Sequence, residues 1–385
     1  MVRISDILKK KLKDAPLKPP VEPEASGPTP VEDEPSVKKP FSQGESAGIT
    51  GPQVKKPSLE EGQQEMQIAR VISEAQFHKK ESQNLYFEGV ELTKLVIDKI
   101  RHREAIDLGP VKEWITKIVD RLVLKDIELL ALFYEYTPEH FLLSHITNVT
   151  IMSIEVGLGL GYNKSRLNEL GLAAFMHDIG MIKVEELALK PRALSIEEFN
   201  MIKEHPLYGA QILSQIKDIP HAVIFAVKEE HERINGKGYP LGMKNGEITE
   251  YARIIATVDV YESLTHDRPH RKKIAPHEAT KEMLSSLSSA LDAQFLKILI
   301  NQVGIYPIGS WVELNTREIG KVININEDLP MRPVVSIIFD NSRARLSEPR
   351  VVNLAKQFNL FVKKPLSDEE VIRETHKEVG GEKPK

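Results

Sequence analysis

Apolar residues recur every three or four positions through most of the chain, and the period shortens to two only near its C-terminal end. The first spacing marks one face of a helix, the second a half-buried strand. Ile68, Val71, Ile72 and Ala75 form one stripe, Leu92, Leu95, Val96 and Ile100 a second. Val111, Trp114, Ile115, Ile118, Val119 and Leu122 form a third. Together they predict a helical N-terminal region over residues 59–136. A second helical stretch, residues 137–305, opens on Thr137-Pro138-Glu139, an N-cap candidate with proline at the first helical position. Gly180, Pro206, residues 235–240 and Pro269 punctuate it. After Tyr306-Pro307, short apolar runs at 311–314, 321–325, 334–339 and 351–354 predict strands of a small barrel-like appendage over residues 306–365. Residues 366–385 read as a charged tail, helical where it begins. The expected fold class is mainly α with a small β appendage.

Residues 1–58 break this pattern. They are rich in Pro, Glu, Ser, Lys and Gly, with few large apolar side chains to offset the entropy of ordering, and read as disordered. Val2, Ile4, Leu8 and Leu12, set among four lysines, are too few for a firm docking helix and read as a frayed, solvated start.

Composition narrows the class. At 385 residues the chain has room for one large domain with appendages. A net charge of -4 argues against a nucleic-acid polymer as partner. With no cysteine, disulfides and thiolate metal sites are excluded, which suits a reducing cytoplasm. No apolar run approaches the roughly 18 residues of a membrane span, and the N-terminus lacks the apolar core of a secretory signal. These features predict a soluble, cytoplasmic protein.

The candidate chemistry is a series of metal-ligand types: His145, His177-Asp178, His205, Glu230-His231 and Asp259. Imidazoles and carboxylates in this mixture suit hard-to-borderline divalent metals. Two such ions about 3.5–4 Å apart are a common device for hydrolysing phosphate esters. Neighbours on a helix point about 100° apart, so His177 can bind a metal on one side while the Asp178 carboxylate bridges two. A His-Asp pair alone is a weak signal. His266-Asp267 repeats it and reads as a loop decoy.

The combined order carries more. His145; His177-Asp178-Ile179-Gly180; His205-Pro206 with Gly209; His231-Glu232 with Asn235-Gly236-Lys237-Gly238-Tyr239-Pro240; Ala252-Arg253-Ile254 with Val258-Asp259; and Asp267-Arg268-Pro269 together resemble the HD-GYP family, over about residues 139–305. The resemblance implies an HD-type helical bundle. It implies a metal-dependent phosphodiesterase that opens the bacterial second messenger cyclic di-GMP to pGpG, and in many members cleaves it on to GMP. His145, His177, Asp178 and Asp259 would hold one ion, and Asp178, His205 and His231 the other, with Glu230 as a further ligand. Iron or manganese would be the usual metals, with a bridging hydroxide attacking phosphorus. Asp178 and Lys183 would act in catalysis. Gly238, Tyr239 and Pro240 would shape the substrate pocket, and Arg268 and Arg271 would meet phosphate or guanine through their planar donor forks. Expected partners are cyclic di-GMP, a second copy through the helical N-terminal region, and diguanylate cyclase-type (GGDEF) or other signalling proteins.

Four positions depart from the fullest family pattern. Glu230 stands where the family usually has histidine, which shifts preference toward harder metals such as manganese. Met181 replaces a lysine that would meet the phosphate; losing such a donor typically costs about 10²–10³ in rate. Phe141 replaces a glutamate found in members with three metals, so two ions are expected. His270 stands where tyrosine is common. These departures motivate an alternative reading, a cyclic di-GMP receptor or signalling scaffold without turnover.

Overall fold

The computed structural model describes residues 59–134, 141–190, 192–268, 271–326 and 328–376, with backbone alone for residues 59–77, Phe141 and His376. The Pro-rich residues 1–58, the helix start at Thr137 and the last nine residues of the tail lie outside the described residues.

Helix α1 (Leu59–His102) is one continuous 44-residue helix. It meets α2 (Gly109–Val123), whose six apolar stripe residues are all buried, as their spacing predicts. The contact centres on Trp114. Its Nε1 donates to the Leu85 carbonyl at 2.8 Å, and a Cβ at Gly89 would lie 2.3 Å from its ring. This close approach decides which face of α1 turns inward. Ser82, Tyr86, Val90, Thr93, Val96 and Ile97 are buried, whereas Leu95, expected on the apolar stripe, is exposed. The buried row contains three hydroxyl residues, Ser82, Tyr86 and Thr93, so apolar spacing alone misplaced it. One of them, Thr93, satisfies its hydroxyl on the Gly89 carbonyl at 2.9 Å. Helix α3 (Ile127–Ala131) is capped by Asp126, which accepts from the Leu129 amide. It runs into a 3-10 turn, Leu132–Tyr134.

The central bundle consists of α4 (Phe141–Gly159), α5 (Lys164–Met176), a 3-10 turn (Ile179–Lys183), α6 (Glu185–Ala188), α7 (Ile196–Ile202), α8 (His205–Leu213), α9 (His221–Glu229), α10 (Glu250–Thr265), α11 (Pro276–Ser285) and α12 (Ala293–Val303). Helices α4 and α5 pack against each other and against α10 and α9, while α8 packs on the 3-10 turn that follows α5. One apolar cluster runs from Tyr86 of α1 through Trp114, Phe175 and Tyr261 to Val303. The N-terminal helices and the bundle therefore share a core, whose burial supplies most of their mutual stability.

The C-terminal segment forms an antiparallel sheet in the order β4-β3-β2-β1-β5. Its strands are β1 (Trp311–Leu314), β2 (Ile319–Asn324), β3 (Val334–Phe339), β4 (Arg345–Asn353) and β5 (Val362–Leu366). Val312, Leu314, Val322, Val335, Ile337 and Val352 form its core. No pairing joins β4 to β5 among the described residues, so the sheet is open rather than barrel-closed. Sequence periodicity missed β5 and the first half of β4. Both are edge strands carrying a proline and charges, features that keep an edge from pairing with another chain and erase the apolar alternation. Helix α13 (Asp368–His376) buries Val371 against Ile319 and Leu366. No helix among the described residues is long and apolar enough to cross a membrane.

Candidate metal centre

Helix α5 ends at Met176, and the chain tightens into the 3-10 turn directly after His177 and Asp178. Gly180 explains how that turn can press on the start of α8. A Cβ there would sit 1.9 Å from the His205 carbonyl oxygen and 2.5 Å from the Gly209 nitrogen. Only glycine permits this approach of two backbones. It brings Asp178 Oδ1 to 3.3 Å from His205 Nε2.

The seven expected ligands converge in two groups. His145, His177 and Asp259 form one, and Asp178, His205, Glu230 and His231 the other; within each, one donor atom per residue lies within 4.8 Å of all the others. His145 Nε2 and His177 Nε2 are 3.1 Å apart. Asp178 divides its oxygens between the groups. Oδ2 lies 3.4 Å from His145 Nε2 and 3.6 Å from His177 Nε2, while Oδ1 faces His205. Glu230 also reaches both ways, 3.5 Å to His205 Nε2 and 3.8 Å to His177 Nε2.

Three histidines are oriented by their other ring nitrogen. Nδ1 of His177 donates to the Ala174 carbonyl at 2.7 Å, Nδ1 of His205 to the Ile202 carbonyl at 2.8 Å, and Nδ1 of His145 to Glu262 Oε2 at 2.6 Å. Metal-binding histidines are commonly held this way, which leaves Nε2 facing the ion. His205 Nε2 and both Glu230 carboxylate oxygens are buried without a hydrogen-bond partner. Buried polar atoms are rarely left so, because each costs about 1–3 kcal/mol. Divalent ions would satisfy all three at once, so this donor set fits a pair of metals.

The electrostatics agree. Burial alone would lower the basicity of His145, but the Glu262 carboxylate, helped by Asp178, pushes its pKa up to about 10 against the opposing charge of Arg268. Burial would raise the Asp178 pKa; His177, His145 and His205 outweigh it and hold the carboxyl well below its usual range. Burial raises the Glu230 pKa. Burial, with repulsion from His205 and Arg233, lowers that of His231.

Glu262 escaped sequence reasoning. It is fully buried on α10 and receives His145, Arg268 Nη2 at 2.9 Å and Asn148 Nδ2 at 3.3 Å. Its signal is position: three residues after Asp259, it shares a helix face with that ligand. Glu232, quoted in the motif, carried no expected role. Its buried carboxylate accepts the backbone amides of Leu241 at 2.6 Å, Gly242 at 3.1 Å and Met243 at 2.8 Å. It thereby clasps the loop that follows His231. A Cβ at Gly238 would meet the Arg233 nitrogen at 2.3 Å and the His231 oxygen at 2.5 Å, so the loop folds tightly onto its own stem. Tyr239 stacks on His231 with ring centroids 4.7 Å apart, and the Tyr239–Pro240 peptide is cis.

The remaining expected residues are not among the converging donors. Arg268 reaches the back of His145 and Glu262. Arg271 donates to the Ser263 and Lys272 carbonyls. Lys183 is exposed at the end of the 3-10 turn, and no hydrogen bond or ion pair joins it to a ligand. His266, read as a decoy, is buried and hydrogen-bonded on both sides of its ring.

A helical bundle that closes on paired His/Asp groups in this order defines an HD-domain protein. Residues 135–295 match the family described as HD domain, and residues 311–374 match the family described as KOW domain associated with HD domain. A cyclic di-GMP phosphodiesterase of Pseudomonas aeruginosa is 30% identical over 258 residues, 66% of this chain and 62% of that protein. The cyclic di-GMP phosphodiesterase PdeB of Borreliella burgdorferi is 26% identical over 229 residues, 59% of this chain and 60% of that protein. A solved HDG"Y"P protein from Bdellovibrio bacteriovorus shares the fold, with a TM-score of 0.50 and 19% identity over 58% of this chain and 71% of that one. These likenesses support the resemblance to the HD-GYP family over the helical bundle. It spans about three fifths of the length of the curated relatives it matches.

Proposed function

We propose that this chain is a metal-dependent phosphodiesterase that hydrolyses cyclic di-GMP to pGpG, and onward to GMP, at a centre of two iron or manganese ions. The observation that carries the reading is Asp178, whose two oxygens face two separate groups of imidazole and carboxylate donors. When bound, two divalent ions lower the pKa of water and neutralise charge on the phosphoryl oxygens. The chain's own residues do the rest. His145, His177 and Asp259 would hold one ion, His205, Glu230 and His231 the other, and Asp178 would offer one oxygen to each group. Tyr239, stacked on His231, walls the pocket that Gly238 and Pro240 shape. Arg268, Arg271 and Lys183 would supply positive charge toward the phosphate or guanine. Hydrolysis joins the oxygen of water to phosphorus, breaks the bond to O3′, and returns a proton to the departing O3′.

Cytoplasmic location, a second copy meeting the exposed α1 face of Phe87 and Leu95, and a GGDEF partner belong to the same reading. The receptor alternative draws on Met181 and Glu230, where the family has lysine and histidine. The deciding experiment is anaerobic purification, metal analysis per chain, and chromatography of cyclic di-GMP and cyclic GMP-AMP incubated with the protein. Two metals with pGpG as product support the enzyme. Metal with bound nucleotide and no turnover supports the receptor, and preference for cyclic GMP-AMP replaces the substrate.

A further inference from the structure

Two consecutive residues of the N-terminal region, Phe133 and Tyr134, both fasten onto α10, the helix that carries Asp259 and Glu262. The Phe133 ring stacks on Tyr261 at 5.8 Å and meets the His266 ring edge-on at 5.0 Å. The Tyr134 hydroxyl is 2.9 Å from that of Tyr261. His266 caps the C-terminal end of α10, where Nε2 donates to the Phe133 carbonyl at 2.7 Å. Its Nδ1 lies 2.9 Å from the Glu262 carbonyl and 3.2 Å from Thr265 Oγ1. One buried imidazole thus joins the 3-10 turn before the bundle to the last turn of α10. Glu262, in that last turn, fixes His145 through its Nδ1.

We propose that His266 is a positioning residue that couples the helical N-terminal region to the metal centre. Its bond to Phe133 sets where the end of α10 sits, and hence how Glu262 and Asp259 present the His145 group to an ion. The hold is tight because its central participants are buried: Phe133, Tyr261, Glu262 and His266 are each no more than 5% exposed. A displacement of the turn Leu132–Tyr134, wherever it originates in the N-terminal helices, is delivered to α10 instead of being absorbed by solvent-exposed side chains. Outer partners that orient a metal-binding histidine typically change metal affinity about 10–100-fold when removed. His266 acts one residue further out, so the lower end applies.

The inference rests on the reading of His145, His177 and Asp259 as metal ligands, and the test separates the two. Chelator-stripped full-length protein is titrated with Mn²⁺ by calorimetry, and its metal-free melting temperature is recorded. The variants are His266→Gln, His266→Asn, His266→Ala and His145→Ala. Glutamine is long enough to keep a donor on the Phe133 carbonyl, and asparagine is not. Expected are a loss of one Mn²⁺ equivalent in His145→Ala, about tenfold weaker binding of one equivalent in His266→Asn and His266→Ala, and near-wild-type binding in His266→Gln. A general packing role predicts instead that Mn²⁺ affinity follows melting temperature, with Gln and Asn alike. If Gln and Asn bind Mn²⁺ equally while His145→Ala loses an equivalent, the coupling is wrong and the metal reading stands. If His145→Ala keeps both equivalents, the metal reading fails and the coupling with it. Should His266→Ala not fold, the contrast between Gln and Asn decides alone.

Discussion

Removing Glu232 tests whether a single carboxylate holds the Gly-Tyr-Pro loop in place. Its three amide partners, Leu241, Gly242 and Met243, are bonded at 2.6–3.1 Å. Hydrogen bonds to a charged group contribute about 1.5–3 kcal/mol each. Leu241 and Gly242 are exposed and Met243 half-buried, so their freed N–H groups find water, and about 1 kcal/mol per bond is the sounder figure. Glu232→Ala should then cost the loop about 3 kcal/mol, close to a hundredfold in its opening equilibrium. Glu232→Gln keeps an acceptor for Leu241 and Gly242 but turns an NH2 toward the Met243 amide; about 1.5 kcal/mol, or tenfold, is expected. Hydrogen–deuterium exchange of the peptide spanning residues 239–244 reads this directly. The same variants should retain two metals per chain while KM for cyclic di-GMP rises, because the stack of Tyr239 on His231 depends on the loop and the ligands do not. Exchange in Glu232→Ala within threefold of wild type would refute the clasp.

Other outcomes follow from the centre itself. Gly180→Ala forces the His205 backbone away from Asp178, and metal analysis should find the Asp178–His205 group depleted; full loading at unchanged melting temperature contradicts the close-approach argument. Glu230→Gln removes a buried carboxylate that has no hydrogen-bond partner. Metal-free protein should gain about 1 kcal/mol in urea unfolding at pH 8 while losing one Mn²⁺ equivalent, and a loss of metal-free stability argues against the desolvation penalty. Because the His145 pKa is pushed up to about 10, this imidazole is protonated in the metal-free protein at pH 8 and must give up a proton to bind an ion. Mn²⁺ affinity should therefore rise with pH and level off above about 10, and the binding heat should vary with the buffer's ionisation enthalpy. A heat independent of buffer means that His145 binds already neutral.

The donor series that converges was legible in the sequence because most of its members sit beside a backbone feature with its own signature. Gly180 lies beyond His177-Asp178, Pro206 follows His205, and the Gly-rich loop follows His231. What supports the ligands was not legible. Glu232 and Glu262 are acidic residues among other charged and polar neighbours, and nothing local separates a buried carboxylate from a solvated one. His266 resembled a spare copy of a motif until the fold placed the Phe133 carbonyl opposite it. The third helical stripe was read correctly because six large apolar residues share one face. Leu95 was misplaced because the inward face of α1 is set by a glycine that admits Trp114, a feature with no hydrophobicity of its own.

The two donor groups draw on residues from α4 through α10, far apart along the chain, and meet only when the bundle is closed. Ions held there would act as cross-links, since whatever binds the folded chain alone shifts unfolding by mass action. A chelator should therefore lower the melting temperature of the bundle along with its activity. Restoring divalent metal to an unfolded chain should then bring back the fold and the loaded centre in the same step, so metal supply would govern how much of this protein persists folded.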